Sequence, residues 1–194
     1  GGVRVLNESS SAVTNVNYDA DNTSYTLGGS YLLTDYSSVF ARFSSGGRAI
    51  GDRLTQIAGA LNADGSLTST TDGYDTVDQF EIGYKHQADN WQAYVTIFDT
   101  TVEETNAEIT SGLTFVREYE ALGMELEGAW QLGNGFSVQG NLTWVDAEIS
   151  ADATNAGVIG NTPRRQADVI YTISPEYAYD NFMVGASFVG SSEA

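Results

Sequence analysis

The feature that most constrains this chain is a period-two alternation sustained over unusually long runs. Over residues 136–145, Phe136, Val138, Gly140, Leu142 and Trp144 point one way, and Ser137, Gln139, Asn141 and Thr143 point the other. Over residues 121–131, Leu122, Met124, Leu126 and Trp130 share one face, and Glu125, Glu127, Ala129 and Gln131 share its opposite. Phe80, Ile82 and Tyr84 oppose Glu81, Gly83 and Lys85 in the same way. Alternation of this kind is the signature of strands with one apolar and one polar face. Similar runs predict strands over residues 24–33, 37–44, 91–102, 165–173 and 182–189, with a weaker first strand near residues 3–8. The reading is all-β, about nine meander strands, with residues 52–61 as the one local helical candidate.

Strand length and loop length narrow the class. Several runs reach about 10–15 residues, whereas globular strands are usually nearer 5–6. A tilted strand that crosses a bilayer needs about 9–11. The connections alternate in length. Residues 34–36, 87–90, 132–135 and 174–180 are short, and residues 9–23, 45–76, 103–114 and 150–162 are long. Short turns at one end and long loops at the other form the pattern of an outer-membrane barrel. The aromatics Tyr31, Tyr84, Trp91, Trp130, Phe136, Tyr171 and Phe182 each fall near a short turn. In a barrel that places them in one interfacial ring, where a side chain with an apolar body and a wet edge is favoured. The expectation is therefore a partial antiparallel transmembrane β-barrel domain spanning residues 1–194. Closure of a sheet in lipid needs every edge paired, and an odd count of about nine strands points to a piece of a larger barrel, with an eight-strand barrel and one strand miscounted as the alternative count. A small non-energised porin and a soluble secreted β-sandwich or adhesin module stand as the alternatives.

Composition removes other classes. The net charge is −18 and Lys85 is the single lysine, so no basic face is available for nucleic acid. With no cysteine there is neither a disulfide framework nor a thiolate metal site. No apolar run is long enough for a membrane helix, but barrel strands alternate and score weakly on hydropathy. No metal or cofactor motif is evident, and none is expected. The segment NADGS at residues 62–66 lacks the length and terminal Glu of a calcium loop and reads as a turn.

Four segments carry a family resemblance. They are YSSVFARFSSGGR at residues 36–48, VDQFEIGYK at 77–85, EYEALGMELEGAW at 118–130 and GNTPRRQAD at 160–168. In that order they resemble strands and strand ends from the C-terminal part of the barrel of TonB-dependent outer-membrane receptors. The resemblance implies a bacterial outer-membrane location and energised import of a scarce ligand of siderophore, cobalamin or oligosaccharide type. The partners it implies are outer-membrane lipid and lipopolysaccharide, a plug domain and TonB. It implies no enzyme activity. Neither a plug nor a TonB box is seen in this sequence.

The candidate site residues follow. Glu81 and Glu125 fall on polar, lumen-facing positions six or seven residues from a short turn, on strands two apart. Strand spacing puts them about 10 Å apart. Two shielded carboxylates are costly unless cations meet them, and the resemblance supplies plug arginines for that role. Their alternative is a pair of solvated lumen acids. Arg48, Arg53 and Tyr74 border or lie in the longest loop and are candidates for ligand contact. Arg164 and Arg165 suit a rim or lipid-phosphate contact. His86, the single histidine, borders a short turn and reads as an interfacial residue.

Overall fold

The structure, a computed structural model, describes residues 2–12, 16–50, 61–68, 73–107 and 114–193. It is an antiparallel meander whose strands are β1 (Gly2–Ala12), β2 (Val16–Thr34), β3 (Ser37–Ala49), β4 (Tyr74–Gln87), β5 (Trp91–Ala107), β6 (Thr114–Gly133), β7 (Phe136–Asp152), β8 (Val169–Tyr179), β9 (Phe182–Gly185) and β10 (Phe188–Ser191). Each pairs with its chain neighbour, and β9 and β10 both pair with β8 in one continuous register. They are two halves of one strand, so the sheet has nine strand positions. Its path is open, from β1 at one edge to β10 at the other. The short helical stretch is the 3-10 turn Ala156–Val158. No described helix is long and apolar enough to cross a membrane, which says nothing of crossing by strands.

The short turns are built from residues that tolerate left-handed backbone. Asn134 (φ 51°) and Gly135 (φ 86°) close the β6–β7 hairpin, and Asp180 (φ 51°) closes β8–β9. Positive φ at both central residues matches the strand twist in a two-residue hairpin. At 35–36, the Thr34 hydroxyl accepts the Tyr36 N–H at 3.1 Å and pairs with the Ser37 hydroxyl at 2.7 Å. The break between β9 and β10 has a backbone cause. The Ala186 N–H donates to the Pro175 carbonyl at 3.1 Å, so Pro175 faces that strand. Proline returns no N–H, and the ladder loses one rung there.

Register assigns every side chain a face. On β3 to β8 the outward set between the short turns and mid-strand is apolar: Val39, Ala41 and Phe43; Phe80, Ile82 and Tyr84; Trp91, Val95 and Ile97; Leu122, Met124, Leu126 and Trp130; Phe136, Val138, Leu142 and Trp144; Tyr171 and Ile173. Most of these large side chains are exposed on the isolated wall. No charged residue interrupts the band. On β7 it runs from Phe136 to Trp144, a length that spans a hydrocarbon core when tilted. Beyond it the outward positions turn acidic, with Asp78, Asp99, Glu120 and Asp146.

Three expectations require correction. Residues 9–23 are not a long loop, because β1 and β2 pair from Gly2↔Thr26 to Ala12↔Val16. Likewise β5 reaches Ala107, β6 begins at Thr114 and β7 reaches Asp152. Above the apolar band the ladder continues through its backbone hydrogen bonds, so these segments need no apolar alternation. The eighth strand is Val169–Tyr179, not residues 165–173, and its turn lies at 180–181. The expected helix at 52–61 lies outside the described residues but for Leu61. Residues 62–66 do form a turn, closed by a Leu61↔Leu67 bridge and by the Asn62 N–H donating to the Ser66 carbonyl at 2.8 Å.

Candidate functional site

The wall curves around a concavity of about 1220 Å³ lined by the polar faces of β2 to β6. Both Glu81 and Glu125 line it, as do Arg42, Lys85, Glu127 and Tyr94. Neither glutamate faces the apolar band. Glu81 lies opposite Phe98, which lies opposite Gly123, and Glu125 is two residues closer to the short turns. Two strand spacings and two residues of rise separate the carboxylates by about 12 Å.

Their surroundings differ. Arg42 on β3 lies directly opposite Glu81, and its Nη2 donates to Glu81 Oε1 at 2.7 Å. The Glu81 side chain is nearly buried, while that of Arg42 is half exposed. Glu125 and Glu127 form no ion pair among the described residues. Lys85, the single lysine, lines the same concavity with its Nζ 4.9 Å over the Phe40 ring and 5.9 Å from the Tyr94 ring. The concavity thus holds Asp35, Glu81, Asp89, Glu125 and Glu127 against Arg42 and Lys85. With Glu81 paired to Arg42, the acids left without an ion pair among the described residues are Asp35 and Asp89 at the turns and Glu125 and Glu127 on β6.

Glycine makes room for an aromatic ring two residues from each glutamate. A Cβ at Gly83 would fall inside the Phe40 ring, and one at Gly123 would fall inside the Phe98 ring. Each ring comes from the facing residue of the adjacent strand and lies flat on the wall over the glycine. The sequences Glu81-Ile82-Gly83 and Gly123-Met124-Glu125 therefore each place a carboxylate two residues from an aromatic-covered glycine.

A second cluster holds the loop end. Arg48 Nη2 donates to Asp75 Oδ2 at 2.9 Å, and the Thr105 N–H donates to Asp75 Oδ1 at 3.0 Å. Asp152 accepts from Arg117 Nε at 2.7 Å, the Thr154 N–H at 2.8 Å, the Thr154 hydroxyl at 2.9 Å and the Asn155 N–H at 2.8 Å. Asp152 lies beyond the lipid band. Burial pushes its carboxyl up, but the Thr154, Arg117 and Asn155 hydrogen bonds outweigh that and hold its pKa at about 2. Buried Ile50, Tyr74, Phe115 and Ile149 pack the same region. The Tyr74 hydroxyl donates to the Ala20 carbonyl at 2.8 Å, tying β4 to β2. Of the expected ligand contacts, then, Arg48 is exposed and paired, Tyr74 is buried in a strand-to-strand contact, and Arg53 lies outside the described residues. Arg164 and Arg165 are exposed in the β7–β8 loop, Arg165 with a left-handed φ of 66°.

The aromatic ring needs one change. Tyr31, Tyr84, Trp91, Trp130, Phe136 and Phe182 are exposed, outward and close to the short-turn edge, with Trp91 paired to Trp130. Tyr171 is outward but eight residues before the end of β8, in mid-wall beside Gly190. Tyr177, tilted against Phe136 with ring centroids 4.4 Å apart, takes the place at the edge. Sequence reading also missed Arg42. Its inward position follows from alternation, but its opposition to Glu81 does not, because a long loop joins β3 to β4.

Comparison with known proteins agrees with this geometry. The family described as "TonB dependent receptor-like, beta-barrel" matches residues 1–194. The fold is similar to the siderophore receptor PiuA from Acinetobacter baumannii, with TM-score 0.70, 18% identity, and coverage of 91% of this chain and 27% of that one. It is similar to BauA, the ferric preacinetobactin receptor of the same organism, with TM-score 0.71, 16% identity, and coverage of 98% and 28%. It is also similar to the ferric-catecholate import receptor Fiu from E. coli K12, with TM-score 0.67, 19% identity, and coverage of 92% and 27%. The chain spans about a quarter of the length of these receptors. No curated protein matches it in sequence.

Proposed function

Because the chain belongs to the TonB-dependent receptor β-barrel family, we propose that it forms part of the outer-membrane wall of a receptor that imports a scarce ligand, of the metal–chelate kind named for PiuA, BauA and Fiu. The observation that carries the reading is the division of charge across the wall. The outward band holds no charged residue, while Arg42, Glu81, Lys85, Glu125 and Glu127 all line the concavity. A bilayer outside and a polar occupant inside satisfy both faces.

The inner occupant on this reading is a plug domain that docks through cations. The acids that receive it are Glu125 and Glu127 first, since Arg42 already neutralises much of Glu81. A plug arginine approaching Glu81 would have to share it with Arg42. A soluble sandwich would bury the apolar face against a second sheet. No described segment covers the outward band, where Leu27 is 72% and Tyr31 70% exposed.

The test uses the full-length receptor in cells starved of iron. Uptake of labelled ferric chelates should depend on the receptor and collapse when the inner-membrane proton gradient is discharged. Uptake that survives discharge would instead indicate a passive pore. In the same protein, Glu125→Gln with Glu127→Gln should loosen the plug, seen as faster hydrogen exchange in that domain. Glu81→Gln should do less. The opposite order would overturn the assignment of the docking charge to β6.

A further inference from the structure

One polar side chain lies on the wrong side of the wall for import. His86 follows Ile82 and Tyr84 on the outward face of β4, pairing with Ser37 and Ala93 across the ladder. It stands one residue before the end of β4, at the short-turn edge of the apolar band. Its imidazole stacks on the Trp91 ring at 4.3 Å and 22°, and the Tyr84 ring lies 6.4 Å away on a similar plane. The Tyr84 hydroxyl meets Nδ1 at 3.3 Å.

This stack fixes the plane of the imidazole and occupies one of its nitrogens. In the tautomer whose Nδ1 accepts from the Tyr84 hydroxyl, the ring proton is on Nε2, and Nε2 has no partner among the described residues. The charged side chains nearest in sequence give it none, because Lys85, Asp35 and Asp89 line the inner concavity. A donor at the edge of hydrocarbon is costly unless it meets an acceptor. The acceptor present at that depth along the whole barrel is the phosphodiester of the inner-leaflet lipid. Indole and phenol faces favour the same boundary.

We propose that Tyr84, His86 and Trp91 form a binding site for one phospholipid of the periplasmic leaflet. His86 Nε2 donates to a phosphodiester oxygen, and the Tyr84 and Trp91 faces cover the glycerol and the first methylenes.

The site rests on the outer-membrane reading above, and the experiment separates the two. The full-length receptor is purified with phosphatidylethanolamine or with diacylglycerol of the same chains, and bound lipids are counted by native mass spectrometry. His86→Phe keeps a ring in the stack and removes the donor. The wild type should retain one phosphatidylethanolamine about fivefold better than His86→Phe, the effect of one net hydrogen bond. Diacylglycerol should be retained equally by both. Inorganic phosphate at millimolar concentration should displace nothing. Equal retention of phosphatidylethanolamine by both proteins would overturn the site, and displacement by inorganic phosphate would overturn the lipid as its occupant. Heat-modifiable migration of the folded barrel is measured on each sample. A variant that still folds into lipid and shows no difference counts against the site alone. Failure of the wild type to fold into lipid counts against the outer-membrane reading.

Discussion

Replacing Asp152 should release the loop end of the wall without disturbing the part in lipid. Its side chain is fully buried and accepts from Arg117, Thr154 and Asn155, while the Arg117 side chain is 23% exposed. Asp152→Ala strips the guanidinium of its acid and orphans two backbone N–H groups. Breaking a buried pair from one side costs about 3–5 kcal/mol. Since Arg117 keeps some water, the lower end applies. Residues 152–155 open as a local unit, so about 3 kcal/mol becomes roughly a hundredfold loss of amide protection at Thr154 and Asn155. Asp152→Asn keeps an acceptor but loses the charge, and about 1–2 kcal/mol is expected. The pH dependence has a fixed sign. Burial raises the Asp152 pKa, but hydrogen bonds to the charged form bring it from 3.8 down to about 2. A depressed carboxyl contributes stability that is complete above its unfolded value and is lost as pH falls through the folded one. Protection should therefore be flat above pH 4 and decline between about pH 4 and 2, by no more than about 2 kcal/mol and less after solvent screening. Hydrogen exchange on the full-length receptor reads all of this. Unchanged protection in Asp152→Ala, or the same acid decline in Asp152→Asn, would refute the reasoning.

Two further perturbations test the wall itself. Gly83→Ala drives a methyl against the Phe40 ring and to 2.6 Å from the Val95 carbonyl and should cost about 1–3 kcal/mol of stability in urea unfolding; adding Phe40→Ala should recover only the part due to the ring, and a purely additive double variant would speak against the ring-over-glycine contact. Ile97→Arg places a charge in the outward band and should cost about 2–4 kcal/mol of stability in bilayers, whereas Thr96→Arg, beside Glu125 on the inner face, should cost far less; folding yields in the reverse order would invert the assignment of the faces.

The legible part of this fold is the part that meets lipid. Residues 136–145 alternate because hydrocarbon demands one apolar face, and the same rule reads β4 and β6. Beyond the band that demand ends. The β1–β2 ladder continues through Ser9–Ser11 and Asn17–Asp21, where the sequence is mostly polar and shows no apolar alternation, so nothing in it separates strand from loop. The stretch 174–180, expected as a turn, is strand up to Tyr179, and Pro175 lies within it where only one rung is lost, against the broken last strand. With the turn at 180–181, Tyr171 falls in mid-wall and not in the edge ring.

The candidate site divides along the same line. Alternation alone puts Glu81, Glu125 and Arg42 on the inner face. Pairing needs register, and register is readable only where a tight turn sets it. The 88–90 turn fixes Gln87 opposite Gln92, and Gly83 opposite Thr96 follows by counting. No such count crosses from β3 to β4, where residues 50–73 intervene, so the Arg42–Glu81 pair was out of reach.

The distribution of charge weighs most heavily against a soluble sandwich. A chain of net charge −18 has acids to place, and a soluble sheet would place them on the face away from its core. Here that face would be the one carrying Ile82, Ile97, Leu126, Trp130 and Trp144, which has no charge over nine residues of β7. The charges of mid-wall lie on the concave side with Ser38, Thr96, Asn141 and Thr143, a face too polar to serve as a core. The inversion is what a bilayer requires, since hydrocarbon can solvate Ile97 but not Glu125. The acids that remain outward, Asp78, Asp99, Glu120 and Asp146, begin where the apolar band stops. On four adjacent strands they begin within two successive outward rungs, Asp99 and Asp146 opposite Leu122 and Asp78 and Glu120 opposite Thr101, as the edge of a bilayer would place them. A packed second sheet would end wherever its own strands end, with no reason to keep to that level.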